Sequence, residues 1–236
     1  PGKVSPAAYV LYAHCFTCSK NVKAAAHLSR SLVSRGMAVC RFDFTGLGES
    51  GGDFADTTFS SNVTDLIDVA AYLEREHAAP QLLIGHSLGG AAVIQAAGDL
   101  PDARAVVTIG TPADPRHILQ HFDGARQEIA ASGEAPVLIQ GRTFRVKAAF
   151  IDTLAAVDQT AAIRDLRRPL LVMHAPLDET VSIANAGQIF QSARHPKSFI
   201  ALDGADHLLS QSEQARHAGE LIAVWASKYV GPAAAD

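Results

Sequence analysis

Cysteine, tryptophan and methionine are scarce in this chain: three, one and two among 236 residues. An odd, small cysteine count argues against a disulfide framework. A reducing cytoplasm is the setting this composition predicts. Positive charge is not in excess either. Twenty Lys and Arg face 24 Asp and Glu, for a net charge of −4. No basic stripe interrupts the sequence, so nucleic acid is not an expected partner. No apolar run approaches the roughly 20 residues of a membrane span. The first residues, Pro-Gly-Lys-Val-Ser-Pro, lack the apolar stretch of a signal peptide. Neither a Cys–His spacing nor a His-Glu-x-x-His pattern supports a metal, and no cofactor is expected. The chain is rich in apolar residues, 48% against 19% charged. That balance describes a globular chain long enough to bury one large α/β core.

Six short runs rich in Val, Ile, Leu and Phe read as strands buried on both faces: Ala8–Ala13, Met37–Phe44, Gln81–Gly85, Ala105–Ile109, Pro169–His174 and Ser198–Leu202. Helical patterns lie between them at Lys20–Arg35, Ser61–His77, Ala91–Ala97, Ile183–Ala193 and Glu213–Tyr229. Strand and helix in alternation imply right-handed crossovers and a mostly parallel sheet flanked by helices. Functional groups of such sheets gather at the carboxyl ends of the strands. About sixty residues separate the strand ending at Ile109 from the one beginning at Pro169, far more than a crossover needs. A small hairpin at Val137–Gln140 and Thr143–Val146, with helical pieces at Arg116–Ala131 and Lys147–Leu166, is expected there. The domain reading is a core of residues 1–110 and 167–236 with an inserted cap over 111–166. The tail Gly231–Asp236 reads as frayed or as the start of a linker.

The most informative stretch is Leu82-Leu-Ile-Gly85-His86-Ser87-Leu88-Gly89-Gly90, followed by an alanine-rich helical run. This is a strand, a sharp turn and a helix with a serine at the apex, the setting of a nucleophile elbow. A strained turn demands small neighbours, and Gly85, Gly89 and Gly90 supply them. A serine hydroxyl needs a base, and the base needs an orienting acid. Both follow in the order Ser, Asp, His on strand-end loops: Asp178 after Leu170–His174, and His207 after Phe199–Leu202. Glu179 is the nearest rival acid and Asp114 the second. The N–H groups of Leu88 and Phe16 are the expected oxyanion donors. Phe16, His86, Phe144 and Phe150 are expected around the substrate, although the His86 ring should point away from the line of attack. His14 is expected to support the loop carrying Phe16, and His174 to be packed at its strand end. Cys15 and Cys18 form a Cys-x-x-Cys pair, read as two small buried residues in a tight loop in preference to a redox pair.

Together these residues resemble the α/β-hydrolase superfamily over essentially the whole chain. Gly-His-Ser-Leu-Gly-Gly resembles its esterase elbow. Arg41-Phe-Asp43-Phe-Thr-Gly46-Leu-Gly48-Glu-Ser50 resembles its Asp-x-Arg-Gly-x-Gly-x-Ser segment, with Thr45 where Arg is usual. His14-Cys15-Phe16 resembles its His-Gly-x oxyanion motif, with Cys15 where Gly is usual. More narrowly, the stretches HCFTCSK, RFDFTGLGES and HAPLDETV resemble the hydrolase half of bacterial proteins that carry an OsmC-type domain downstream. The resemblance implies a serine carboxylesterase acting on small or medium acyl esters. Thioesterase, lactonase or amidase chemistry on the same residues is the alternative, as is a redox-linked accessory domain using Cys15 and Cys18. The expected partner is a small-molecule ester, with no nucleic acid and no membrane. A homodimer, and an OsmC-type domain in longer relatives, are compatible with the sequence.

Overall fold

The computed structural model describes residues 5–139 and 141–231. Residues 1–4, Gln140 of the expected hairpin and the tail from Pro232 lie outside the described residues. Six strands form one parallel sheet: β1 (Ala8–Ala13), β2 (Met37–Arg41), β3 (Leu82–His86), β4 (Ala105–Ile109), β7 (Leu170–His174) and β8 (Lys197–Ala201). Their order is β2-β1-β3-β4-β7-β8. Helices α1 (Lys23–Ser34) and α8 (Ser212–Ala226) cover one face. Helices α2 (Phe59–Glu76), α3 (Leu88–Ala96) and α7 (Ala184–Ser192) cover the other. The fold is an α/β-hydrolase fold, as the resemblance implies, and its parallel sheet between two helical layers is what the alternation of elements predicts.

The period of two sorts each strand between these layers. Val10, Tyr12, Leu82, Ile84, Val107 and Ile109 pack toward α1 and α8, whereas Leu11, Leu83, Val106 and Val172 pack toward α2, α3 and α7. Helices α1 and α8 approach closely at Gly219, where a Cβ would press on the Leu28 backbone and the Ser31 side chain. The Ser31 hydroxyl donates to the Arg216 carbonyl at 3.0 Å across the same contact.

Two boundaries differ from expectation for one reason. Strand β2 stops at Arg41, and α1 starts at Lys23 instead of Lys20. The Lys20 and Glu49 N–H groups both donate to the buried Asp43 carboxylate, which draws these chain segments out of strand and helix. Helix α2 starts two residues before the expected Ser61, because Thr58 and Ser61 form a reciprocal cap.

Between β4 and β7 lie a 3-10 stretch (Pro115–Phe122), α4 (Arg126–Ser132), the antiparallel hairpin β5 (Glu134–Ile139) and β6 (Arg142–Lys147), then α5 (Ala148–Ala155) and α6 (Gln159–Asp165). Its buried residues Phe122, Phe144 and Phe150 join the same hydrophobic cluster as the sheet. Among the described residues, no helix is long and apolar enough to cross a membrane.

Candidate active site

The elbow is built by an absence of side chains. Ser87 lies between β3 and α3 with φ 54° and ψ −124°, a conformation that L residues rarely adopt. A Cβ at Gly85 would overlap the Gly89 and Gly90 backbone. One at Gly89 would overlap the Ala13 and His14 carbonyls, and one at Gly90 the Thr111 hydroxyl. The strand, the helix and the end of β1 therefore meet at a distance only glycine allows. Leu88 is the first residue of α3, so its N–H has no intrahelical acceptor and points out of the positive end of the helix.

Loops from three strand ends converge on Ser87. Its hydroxyl donates to His207 Nε2 at 3.1 Å, and His207 Nδ1–H donates to Asp178 Oδ2 at 2.7 Å. The second bond selects the tautomer that leaves Nε2 free to accept. All three residues are nearly buried, at 8–9% exposure. The other Asp178 oxygen accepts the Thr180 and Val181 N–H groups at 2.9 and 2.8 Å. Burial pushes the Asp178 pKa up, but the His207 and backbone hydrogen bonds outweigh it, so the carboxyl is held below its usual range. Gly110, with φ 55°, lies where a Cβ would press on the His207 ring and the Asp178 carboxylate.

The rival acids are elsewhere. Asp114 caps the Arg116 N–H and pairs with the Arg116 guanidinium, and Glu179 is exposed. His174 donates through Nε2 to the Val181 carbonyl at 2.7 Å. His86 is committed to the protein: Nε2–H donates to the His207 carbonyl at 2.7 Å. Burial first, then the proximity of His207, lowers its pKa to about 4, so it is neutral at pH 7. This link from the end of β3 to the His207 loop lies beyond sequence reasoning. Nothing in the sequence signals a bond between residues 121 positions apart.

The loop after β1 is held by side chains. His14 Nδ1–H donates to the Cys15 carbonyl at 2.8 Å, and Nε2 accepts the Phe44 N–H at 3.3 Å. Burial lowers the His14 pKa and keeps the ring neutral, the state this pair of bonds needs. The reading of Cys15 and Cys18 as two small buried residues in a tight loop needs correction. They form a disulfide, with Cα atoms 5.3 Å apart. A count of three argues against a framework of several bridges but leaves room for one pair. The turn bond from Cys18 N–H to the Cys15 carbonyl, 3.1 Å, brings these two together. Cys40 is the free cysteine, half-buried at the end of the sheet, where burial raises its thiol pKa.

Phe16 meets Phe54, Phe122 and Phe150, with ring centroids 5.6–6.3 Å apart. Phe16, Phe54, Leu47 and Leu88 border a small cavity of about 10 Å3. Phe144 and Phe150 stand one layer behind it, packed on Phe54, and are absent from its wall. A wider cavity of about 470 Å3 opens on the other side of the loop, bordered by the disulfide, Thr17, His86, Arg142 and Leu208. Among the described residues, no three His, Cys, Asp or Glu side chains gather as a metal site.

Comparison with known proteins agrees with this fold. The esterase domain of a Rhodothermus marinus protein is 47% identical, with a TM-score of 0.78 over 98% of this chain and 91% of that one. Est1E of Butyrivibrio proteoclasticus, solved with ferulic acid bound, shares the fold at 19% identity, with a TM-score of 0.81 over 94% and 90% of the two chains. The mitochondrial palmitoyl-protein thioesterase ABHD10 of Mus musculus is 37% identical over 82 residues, 34% of this chain and 27% of that protein. Its Rattus norvegicus counterpart is 26% identical over 129 residues, 53% and 42% of the two. The chain therefore matches less than half the length of these curated relatives. The profile of the Alpha/beta hydrolase family spans residues 10–220, taking in the loop after β1, the Ser87 elbow and the loops of Asp178 and His207. The chain belongs to the Alpha/beta hydrolase family.

Proposed function

We propose that this protein is a serine hydrolase of carboxylic esters, with Ser87 as nucleophile, His207 as base and Asp178 as orienting acid. The observation that carries the reading is the unbroken path Ser87 Oγ to His207 Nε2 to Asp178 Oδ2, at 3.1 and 2.7 Å. His207 takes the Ser87 proton as Oγ attacks the ester carbonyl. The oxyanion that forms rests on the Leu88 and Phe16 N–H groups. His207 then protonates the leaving alcohol and activates the water that releases the acid. Asp178, held ionised by its hydrogen bonds, stabilises the imidazolium in each half-reaction.

The phenylalanine-lined cavity beside Leu88, about 10 Å3, has room for roughly one water, so any acyl chain must displace these rings and a short one displaces them least. In this reading residues 111–166 act as a cap that sets acyl size from behind, with Phe144 and Phe150 bracing Phe54 and Phe16. Thioester hydrolysis is the second reading, supported by the likeness to proteins named palmitoyl-protein thioesterase.

A panel of p-nitrophenyl esters of increasing chain length, with matched thioesters, tests both readings. Acetate and butyrate esters should be the best of the series. A fluorophosphonate should label Ser87 and abolish turnover. Near-normal turnover in Ser87→Ala would end the serine mechanism.

A further inference from the structure

We propose that the Cys15–Cys18 disulfide is the positioning element that holds the Phe16 N–H in the oxyanion hole, so that reduction by a dithiol slows turnover while Ser87, His207 and Asp178 stay assembled. This inference rests on the hydrolase reading above.

The four residues Cys15-Phe16-Thr17-Cys18 form one turn, closed by the Cys18 N–H to Cys15 carbonyl bond. Thr17 occupies its third position with φ 58°. Turns of that kind take Gly there, and a β-branched residue at positive φ is disfavoured. The buried Thr17 hydroxyl donates to the Phe16 carbonyl at 2.7 Å, a local bond that does not remove the steric conflict. Both ends of the loop are anchored independently: His14 holds the Cys15 carbonyl, and Asp43 holds the Lys20 N–H at 2.5 Å. Between those anchors, the disulfide is the covalent constraint on the strained turn, and Phe16 lies inside it. Its loss frees Thr17 to relax toward negative φ, which opens the turn, breaks the Cys18 N–H to Cys15 carbonyl bond and leaves the Cys15–Phe16 peptide, whose N–H is the proposed donor, held by His14 alone.

The bond can be reached. Cys15 is 3% exposed and Cys18 is half-buried, and both border the wide cavity of about 470 Å3. A thiolate of the dithiol attacks Cys18 Sγ. The S–S bond breaks, and its electron pair leaves on Cys15 Sγ, which takes a proton. The second thiol of the reductant then attacks the mixed disulfide and releases Cys18 as a thiol. Two electrons and two protons pass to the protein, and the reductant ends as its own disulfide.

The test compares the full chain before and after dithiothreitol, with alkylation and mass spectrometry confirming two further thiols. Steady-state kinetics on p-nitrophenyl acetate and hydrogen exchange of the 14–19 segment are followed in parallel. Loss of a whole oxyanion donor lowers kcat roughly 10²–10³-fold. Loosening one should lower kcat about tenfold or more, with KM changed less than about twofold. Exchange in 14–19 should rise, and re-oxidation should restore both. Cys18→Ser should reproduce the reduced rate and ignore reductant. Adding Thr17→Gly to it should recover most of kcat, because glycine accepts the turn unaided. A purely structural bridge would lower Tm and leave kcat unchanged. Equal kcat and equal exchange in the two states, with both thiols shown to be free, would overturn the proposal. No turnover in either state would instead defeat the hydrolase reading, and the exchange measurement would then decide by itself whether the disulfide orders the loop.

Discussion

Two turns face each other across the proposed oxyanion position, and they reach the same end by opposite means. The Ser87 elbow is held by what is missing: three glycines let β3, α3 and the end of β1 approach to backbone contact. The turn at Phe16 is held by what is present: the His14 ring, the disulfide and a threonine in a glycine conformation. Packing of bare backbone tolerates no added atom. A turn fixed by side-chain bonds can lose them one at a time. The elbow should therefore fail abruptly under substitution and the Phe16 turn by degrees.

The sharpest break is at the elbow's apex. Ser87→Ala and His207→Ala should each lower kcat roughly 10⁴-fold or more with the fold intact, and the double variant should be little worse. Asp178→Asn should be similarly severe, since the imidazole loses its orienting acceptor. A double variant that multiplies the single losses would show that the residues do not act as one unit. Next comes Gly89→Ala, whose methyl would meet two backbone carbonyls. Overpacking typically costs about 1–3 kcal/mol, and a methyl held against two backbone carbonyls belongs at the upper end, read as a lower midpoint in urea unfolding. A loss under about 1 kcal/mol would mean that the elbow is as yielding as the opposite turn.

His14→Ala probes that opposite turn. It strands the Phe44 N–H, at about 1–3 kcal/mol, and leaves the Cys15 carbonyl to the Cys18 N–H alone, and kcat should fall about tenfold while the protein still folds. Unchanged kcat would remove His14 from the support of the loop.

A pH titration of stability isolates His86, the elbow's own histidine. Its pKa is lowered to about 4 in the fold, against 6.5 for the free side chain. Its contribution is fully present above pH 6.5. It is lost as pH falls toward 4, because the unfolded chain then binds the extra proton. The full loss is about 3–4 kcal/mol at most, since each tenfold change in proton affinity is worth about 1.4 kcal/mol. Melting curves should drop across that window, and His86→Asn should flatten the drop. The smallest effect is expected at the proposed cap, residues 111–166. Phe150→Leu should shift the chain-length optimum by a few carbons with little change on acetate esters. A loss of every activity in folded protein would place Phe150 in the machinery itself.

The sheet is readable from the sequence because six apolar runs are bounded by clear stops, and strands buried on both faces have few alternatives. The elbow is readable because glycine marks it directly. Glycine is an absence that packing enforces, and it shows in the letters. The Phe16 turn is not readable. Its two cysteines pair only through a turn whose φ at Thr17 no local preference predicts. The start of α1 escapes for a related reason: the acceptor that draws Lys20 away is Asp43, on another strand end. The roles expected of Phe144 and Phe150 as wall residues assume that a long insertion faces the pocket. Their rings instead pack on Phe54 and leave the wall to Phe16 and Phe54.

The close approach of α1 and α8 at Gly219 has a reach beyond the contact itself. The loop of Phe16 runs directly into α1, and the loop of His207 runs directly into α8. The two helices are thus the legs of a pair of calipers whose rivet is Gly219 against Leu28. The rivet lies about 10 Å along α8 from its first turn. The loops that carry Phe16 and His207 are thus joined through a contact on the far side of the sheet from residues 111–166. A larger residue at 219 would open the jaws without touching a single reacting atom.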